Sequence, residues 1–290
     1  MSKILVKTVG FIGDILFASS VAEKLVMQTY MAVDFQINLP QPLELLAKNP
    51  YIHRIYYGDS EINESDYSKI YQLQPIHRNL TPCEQFQIQC GIKNPSPHYV
   101  IYTSEGMDVW VKSLLPKDKI IVAYPQNWEE RTFLFTKEEY EKGIDVPNLG
   151  YGGSHRNTNW IILELQKRLG DKVMFIPVGK PNGYVSNMID QNSVSEYTFT
   201  ASLLKNCNWF IGAEGGLANL AAGVGTGTII TGDFIHQLYG WNGVIEKCEE
   251  PKLGPKYYFD NYIIGPNGHT TLDPYLTDEQ VVTEIINIIK

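Results

Sequence analysis

Two short apolar runs constrain this chain more than anything else in it. Ile4 to Val9 leads straight into Gly10, Gly13 and Asp14, and Trp209 to Gly212 leads straight into Glu214-Gly215-Gly216. Behind the first turn, Ile15, Leu16, Ala18, Ser19, Ala22, Leu25 and Val26 recur at helical spacing. Behind the second, Leu217 to Ala222 is a run of small and aliphatic residues suited to a closely packed helix. Glycine is what lets a backbone turn this tightly between a strand and a helix. Other stretches read as strands at Val33 to Leu39, Ile52 to Tyr57, Ser68 to Leu73, Tyr99 to Thr103, Ile120 to Tyr124, Val173 to Val178 and Thr228 to Thr231. Helical stretches fall at Leu43 to Ala47, Asn159 to Leu169, Thr198 to Asn206 and, behind the capping box Thr277-x-x-Gln280, Val281 to Ile289. Strands alternating with helices predict an α/β fold with parallel sheets. Pro75 to Pro97 carries no assignable pattern, and Glu141 to Asn159, rich in Gly, Asn and Pro, reads as an inserted loop.

The pattern starts twice, which divides the chain. The polar, proline-bearing stretch Leu115 to Lys119 separates two apolar runs and has the character of a linker. The expected domains are 1–118 and 119–290, both Rossmann-like, and 290 residues suffice for two modest units. No stretch has the length and apolarity of a membrane span, and Met1 to Val9 passes directly into strand-like sequence with no leader pattern, so the expected location is cytoplasmic. Cys83, Cys90, Cys207 and Cys248 lack zinc-type spacing and read as free thiols. The net charge of −8 disfavours a broad nucleic-acid surface but leaves room for a local basic cleft.

Three segments can carry chemistry. In Gly212 to Gly223 the glycines allow close backbone approach, and the helix that follows begins with unpaired N–H groups and a positive dipole end suited to phosphate. Glu214 can accept from sugar hydroxyls. The plain alternative is a glycine turn needed only for packing. In Pro125 to Phe133, Arg131 can offer a bidentate fork to a diphosphate, with Gln126 and Asn127 adding hydrogen bonds. The plain alternative there is an exposed loop with Arg131 paired to Glu129 or Glu130. In Thr8 to Leu16, Asp14 falls at a helix start beside the carboxyl end of the first strand, where open α/β sheets bind ligands. It can serve as a general base, as a helix cap, or as both. A dinucleotide fingerprint is absent, since GxGxxG does not occur and Leu39-Pro40 stands where a ribose-binding acid belongs. There is no Asp-x-Asp triplet, Walker loop or GxSxG, and the six histidines lack metal-ligand spacing. His77-Arg78, behind a strand of the first half, is the one pair of interest among them.

Taken together, these segments resemble glycosyltransferase family 9, the ADP-heptose:lipopolysaccharide heptosyltransferase family. Gly10 to Leu16 resembles its opening Gly-Asp-hydrophobic motif. Leu43 to Tyr57, with Asn49-Pro50 inside, resembles its helix–Asn-Pro–strand segment, and Pro125 to Phe133 its basic phosphate loop. Glu214 to Ala222 resembles the motif D-T-G-L-S-H-L-A-A, and Leu276 to Ile289 the closing helix. Glu214, Gly215 and Asn219 replace that motif's Asp, Thr and His. The resemblance implies a GT-B fold: two Rossmann-like domains facing a central cleft, acceptor in the first, donor in the second. The final helix is then expected to reach back to the first domain. It implies an inverting transfer without metal or other cofactor, from a nucleotide-diphosphate sugar to a hydroxyl. Asp14 is then the base. The donor contacts are Arg131, Gln126, Asn127, Gly179, Lys180, Glu214, Gly215, Gly216, Leu217 and Asn219, and the acceptor contacts are Gly13, His77 and Arg78. A glycan, a lipid-linked sugar, a small molecule or a modified DNA base can supply the hydroxyl. A non-catalytic nucleotide- or glycan-binding protein of the same fold is the rival expectation. A sugar-nucleotide epimerase would need a second acid/base partner for Asp14.

Overall fold

The computed structural model describes residues 2–10, 12–58, 60–74, 81–125, 158–178, 196–212, 215–231, 269–272 and 276–289. They form two parallel sheets with helices packed on them. The first sheet contains β1 (Lys3–Thr8), β2 (Ala32–Ile37), β3 (Arg54–Tyr57) and β4 (Tyr67–Leu73), in the spatial order β3-β2-β1-β4. The second contains β5 (Ile120–Pro125), β6 (Val173–Val178), β7 (Trp209–Gly212), β8 (Gly227–Ile230) and β9 (His269–Thr271), in the order β6-β5-β7-β8-β9. Every strand pair is parallel.

Strand sequence follows strand position. β1 is central, and Ile4, Leu5 and Val6 are all fully buried, as a strand covered on both faces requires. β4 lies at the edge and exposes Ser68, Lys69, Ile70 and Gln72 between half-buried Tyr67 and Tyr71 and buried Leu73; the charge of Lys69 discourages pairing with another chain. β5 divides its side chains between two cores by the two-residue period: Ile121 and Ala123 face one, Val122 the other.

The helices are α1 (Ile12–Ala18), α2 (Ser20–Thr29), α3 (Leu43–Leu46), α4 (Pro82–Gln89), α5 (Glu105–Leu114), α6 (Thr158–Leu169), α7 (Glu196–Lys205), α8 (Gly216–Gly223) and α9 (Asp278–Ile289). Helix α4 falls inside the stretch that showed no pattern. Its signal was local: Thr81 caps it, accepting from Glu84 N while Glu84 accepts from Thr81 N, and Pro82 occupies the first turn. Residues 99–103 were expected to form a strand. They join neither sheet; Ile101 N instead donates to Gly223 O (2.8 Å), so the segment spends its backbone donor on α8.

One core runs from Phe17, Leu25 and Phe35 in the first half to Phe199, Phe210 and Leu220 in the second. A second core lies on the other face of the second sheet. There α9 buries Val281, Val282, Ile285, Ile286 and Ile289 against α6 and β5 to β8. Each such side chain contributes about 1.5–3 kcal/mol by leaving water, so an Asp at 282 would detach the helix. The expected capping box is present, with Thr277 N donating to Gln280 Oε1 (2.8 Å) and Gln280 N to Thr277 Oγ1 (3.3 Å). Away from these cores, buried Asp34 accepts from His53 Nδ1 and the Tyr67 hydroxyl, each at 2.8 Å, which gives His53 a structural partner. Burial pushes the thiols of Cys90 and Cys207 up to about 12, which leaves them poor nucleophiles. Among the described residues no helix is long and apolar enough to cross a membrane.

Candidate functional site

Each sheet has a point where successive connections leave in opposite directions, and ligands of open α/β sheets bind outside the carboxyl ends of the strands there. In the first sheet β2 and β3 lie to one side of β1 and β4 to the other. The switch point is therefore the carboxyl end of β1, where Val9 and Gly10 precede α1. In the second sheet β6 lies to one side of β5 and β7 to the other. That switch point holds the end of β5 and the end of β7, which leads to Gly215 and α8.

The first turn is built around a carboxylate. Gly10 has φ 150°, a conformation that side chains rarely adopt. A Cβ on Gly10 would stand 2.5 Å from Asp14 Oδ2, so the Asp14 side chain folds back over the space that the glycine leaves open. Asp14 is 5 % exposed. Asn38, just past β2, braces the turn from below: its Nδ2 donates to Gly10 O and its Oδ1 accepts from Gly10 N, both at 3.2 Å. This paired amide was not anticipated, because Asn38 lies inside the stretch read as strand.

The second turn ends at Gly215 and the start of α8. Gly215 has φ 157°, and no atom of the described residues beyond its chain neighbours lies within 4 Å of where its Cβ would be. Helix α8 begins at Gly216, with Asn219 N bonded to Gly215 O (3.0 Å). The N–H groups of Gly216, Leu217 and Ala218 precede that bond and have no intrahelical carbonyl to reach. Leu217 packs its side chain on the core below.

The two turns meet. Helices α1 and α8 pack against each other. A Cβ on Gly13 would fall 2.7 Å from Asn219 Nδ2, and one on Gly216 would touch Ile12 at 3.9 Å. Tyr99 pins the seam from beneath, its hydroxyl donating to Asn219 O while its ring meets Phe17 edge-on at 5.0 Å between centroids. Gly223 makes room for this clamp, since a Cβ there would overlap Tyr99 and Ile101. Tyr99 was read as a strand residue; nothing in the sequence signals that it would cross to the other half. So Gly13, Asp14, Gly215, Gly216, Leu217 and Asn219, proposed from two separate motifs, come to one seam. Gln126, Asn127, Arg131, Gly179, Lys180, Glu214, His77 and Arg78 lie outside the described residues. The strands leading to residues 126 and 179, β5 and β6, are hydrogen-bonded neighbours whose carboxyl ends share the edge of β7. Among the described residues no cluster of three His, Cys, Asp or Glu could hold a metal ion.

No protein-family model and no curated protein sequence matches the chain. Solved structures do. A glycosyl transferase family 9 protein from Veillonella parvula DSM 2008 superposes with a TM-score of 0.61 at 11 % identity, covering 99 % of this chain and 97 % of the other. ADP-heptose lps heptosyltransferase II of E. coli gives 0.59 at 12 % identity, covering 99 % and 98 %. The iron-containing heptosyltransferase TibC, in complex with ADP-D-beta-D-heptose, gives 0.56 at 15 % identity, covering 99 % and 75 %. At such identities the common property is the architecture, and the chain shares the fold of these glycosyltransferases over nearly its whole length.

Proposed function

We propose that this chain is an inverting, metal-independent glycosyltransferase that moves a sugar from a nucleotide-diphosphate donor to a hydroxyl. One observation carries the reading: the turn bearing Asp14 and the bare start of α8, each at the switch point of its own sheet, abut through Gly13 and Asn219. The division of labour follows the two halves, with residues 1–118 receiving the acceptor and 119–290 the donor across a cleft. That three solved neighbours of this fold are named as glycosyl- or heptosyltransferases, one of them holding a nucleotide-sugar, supports the same chemistry.

In this reading Asp14 takes the proton of the acceptor hydroxyl as its oxygen bonds to the anomeric carbon. The bond from that carbon to the diphosphate breaks, and its electron pair leaves on the phosphate oxygen. Attack opposite the leaving group inverts the centre. The N–H groups of Gly216, Leu217 and Ala218 face the charge that develops, with Arg131 as the cationic contact. Because Asp14 is 5 % exposed, acceptor and donor enter only when α1 and α8 part, and closure then excludes water. The sequence has no Asp-x-Asp triplet to bridge a metal to the phosphates, which supports the metal-independent form.

The same burial favours the second reading, a non-catalytic nucleotide- or glycan-binding protein in which Asp14 only braces its turn. A panel of ADP, GDP, UDP, CMP and dTDP sugars, read by thermal shift and slow donor hydrolysis, separates the two. Stabilisation with nucleotide release that disappears in Asp14→Asn supports the transferase. Stabilisation with no release, equal in wild type and variant, leaves the binding protein.

A further inference from the structure

Both hydrogen bonds of the Asn38 amide go to one residue, and that residue is the one Asp14 lies against. Asn38 Oδ1 accepts from Gly10 N and Nδ2 donates to Gly10 O, both at 3.2 Å. The N–H of Gly10 belongs to the peptide plane before its Cα, and the C=O to the plane after it. A single planar amide therefore grips both planes, and with them φ and ψ of a residue that has no side chain to limit either. An aspartate at this place could only accept, and a lysine could only donate. Register puts the amide there. Thr8 and Ile37 are the last partners of the β1–β2 ladder, and Asn38 is the next residue along. Where main-chain pairing stops, the side chain takes it up against the turn. A dinucleotide-binding fold keeps an acid near this place for a ribose hydroxyl; here the side chain is spent on the protein's own backbone.

The grip bears on chemistry because of what lies over Gly10. Asp14 is 5 % exposed, and its Oδ2 stands 2.5 Å from where a Cβ on Gly10 would be. The seat of the carboxylate is thus the bare Cα of Gly10, and the backbone angles of that glycine decide where the seat is. Asn38 itself is exposed, so water can replace each of its bonds when the side chain is removed, and the fold loses little. Separate waters do not hold the two planes in one fixed arrangement. We infer that Asn38 is a positioning residue: by fixing Gly10 it holds the Asp14 carboxylate in line with the hydroxyl it deprotonates, without touching either substrate. The inference rests on the glycosyltransferase reading above, in which Asp14 is the base.

Asn38→Ala, Asp14→Asn and the double variant test it together, with the nucleotide-sugar panel as donors, water as the acceptor hydroxyl and nucleotide release as the readout. At saturating donor, Asn38→Ala should release nucleotide about 10- to 100-fold more slowly than wild type. Its donor KM and its affinity for the matching nucleoside diphosphate should equal those of wild type, and its melting temperature should barely move. In the Asp14→Asn background the same change should cost nothing further, because a residue that acts through a carboxylate has nothing to act on once the carboxylate is gone. A kcat within about twofold of wild type for Asn38→Ala would overturn the inference and leave the glycosyltransferase reading standing. A raised donor KM at normal kcat would overturn it too, by making Asn38 a substrate contact. So would an equal fold-loss on top of Asp14→Asn, which a general loosening of the fold would give. A wild-type protein that releases nucleotide from no donor, or no faster than Asp14→Asn, would remove the reading itself, and the inference with it.

Discussion

The two glycine turns, around Gly10 and Gly215, are alike at those glycines and furnished oppositely among the described residues. Each follows a strand at the switch point of a parallel sheet, each holds a glycine with φ near 150°, and each feeds a helix. At Gly10 the vacated space is filled by the protein's own carboxylate, with Asp14 Oδ2 2.5 Å from the absent Cβ. At Gly215 none of the described residues beyond its chain neighbours comes within 4 Å. Among the described residues, the same backbone device thus stands beside a carboxylate in one half and beside bare N–H groups in the other. In the proposed reaction the first turn would take a proton and the second would hold an anion, and a transfer between two substrates needs both.

The largest effect should come from the acid. Asp14→Asn keeps the shape and the fold over Gly10 but cannot accept a proton. Turnover should drop about 10²- to 10⁴-fold while donor affinity stays put. Undiminished turnover in steady-state assays would strip the first turn of its chemical role and make the two turns mere packing devices. Next is Gly10→Ala, where a methyl must share space with Asp14 Oδ2 in a backbone region meant for glycine. Stability should fall by about 1–3 kcal/mol. A displacement of the carboxylate on the order of 1 Å should cost about 10² in rate. Urea unfolding and kcat, measured on the same variant, check both; a variant with normal kcat would mean that Asp14 does not need its place over Gly10.

How much of this was legible beforehand depended on the range of the signal. The strands β1, β6 and β7 and the capping box of α9 announce themselves within a few residues, through apolar runs and the Thr277–Gln280 spacing, and the sheets followed from their alternation. The glycine turns that place Asp14, Gly215 and Gly216 in the candidate site were readable because glycine after a strand is a local demand of backbone geometry. Tyr99 and Asn38 were not. Their roles depend on what lies 120 residues away in one case and 28 in the other, and neither side chain carries a local mark of its partner. The 99–103 stretch has the composition of a strand, and only the crossing of Gly223 explains why its donor went to a helix. Helix α4 was missed for a different reason: its face is weakly amphipathic, and the Thr81-Pro82-Cys83-Glu84 cap was the only sign of it.

Gly215→Ala should separate the two turns further. Its methyl meets no atom of the described residues beyond the chain neighbours, so the expected cost is backbone strain, again about 1–3 kcal/mol. Donor affinity should weaken several-fold as the N–H groups at the start of α8 tilt, while kcat at saturating donor changes little. Isothermal titration with the nucleoside diphosphate, set beside kcat, reads the split. A fall in kcat matching that of Gly10→Ala would show that the turns do not divide binding from chemistry.

The smallest effect belongs to Gly216→Ala, and it is the most discriminating for where phosphate lies. Gly216 has no positive φ, and its added methyl would meet Ile12 at 3.9 Å, ordinary van der Waals contact. Restricting the unfolded chain at a compatible position should stabilise by about 0.4–1 kcal/mol, so the melting temperature should hold or rise slightly. The methyl points toward α1 rather than into the space that Gly215 leaves empty, so nucleoside diphosphate affinity should stay within about twofold of wild type, well under the tenfold that 1.4 kcal/mol represents. If stability holds but affinity collapses, the diphosphate lies against Gly216 itself, in the seam beside Ile12. The anion site would then share the ground assigned to the acid turn, and the separation of the two furnishings would have to be redrawn around a single pocket.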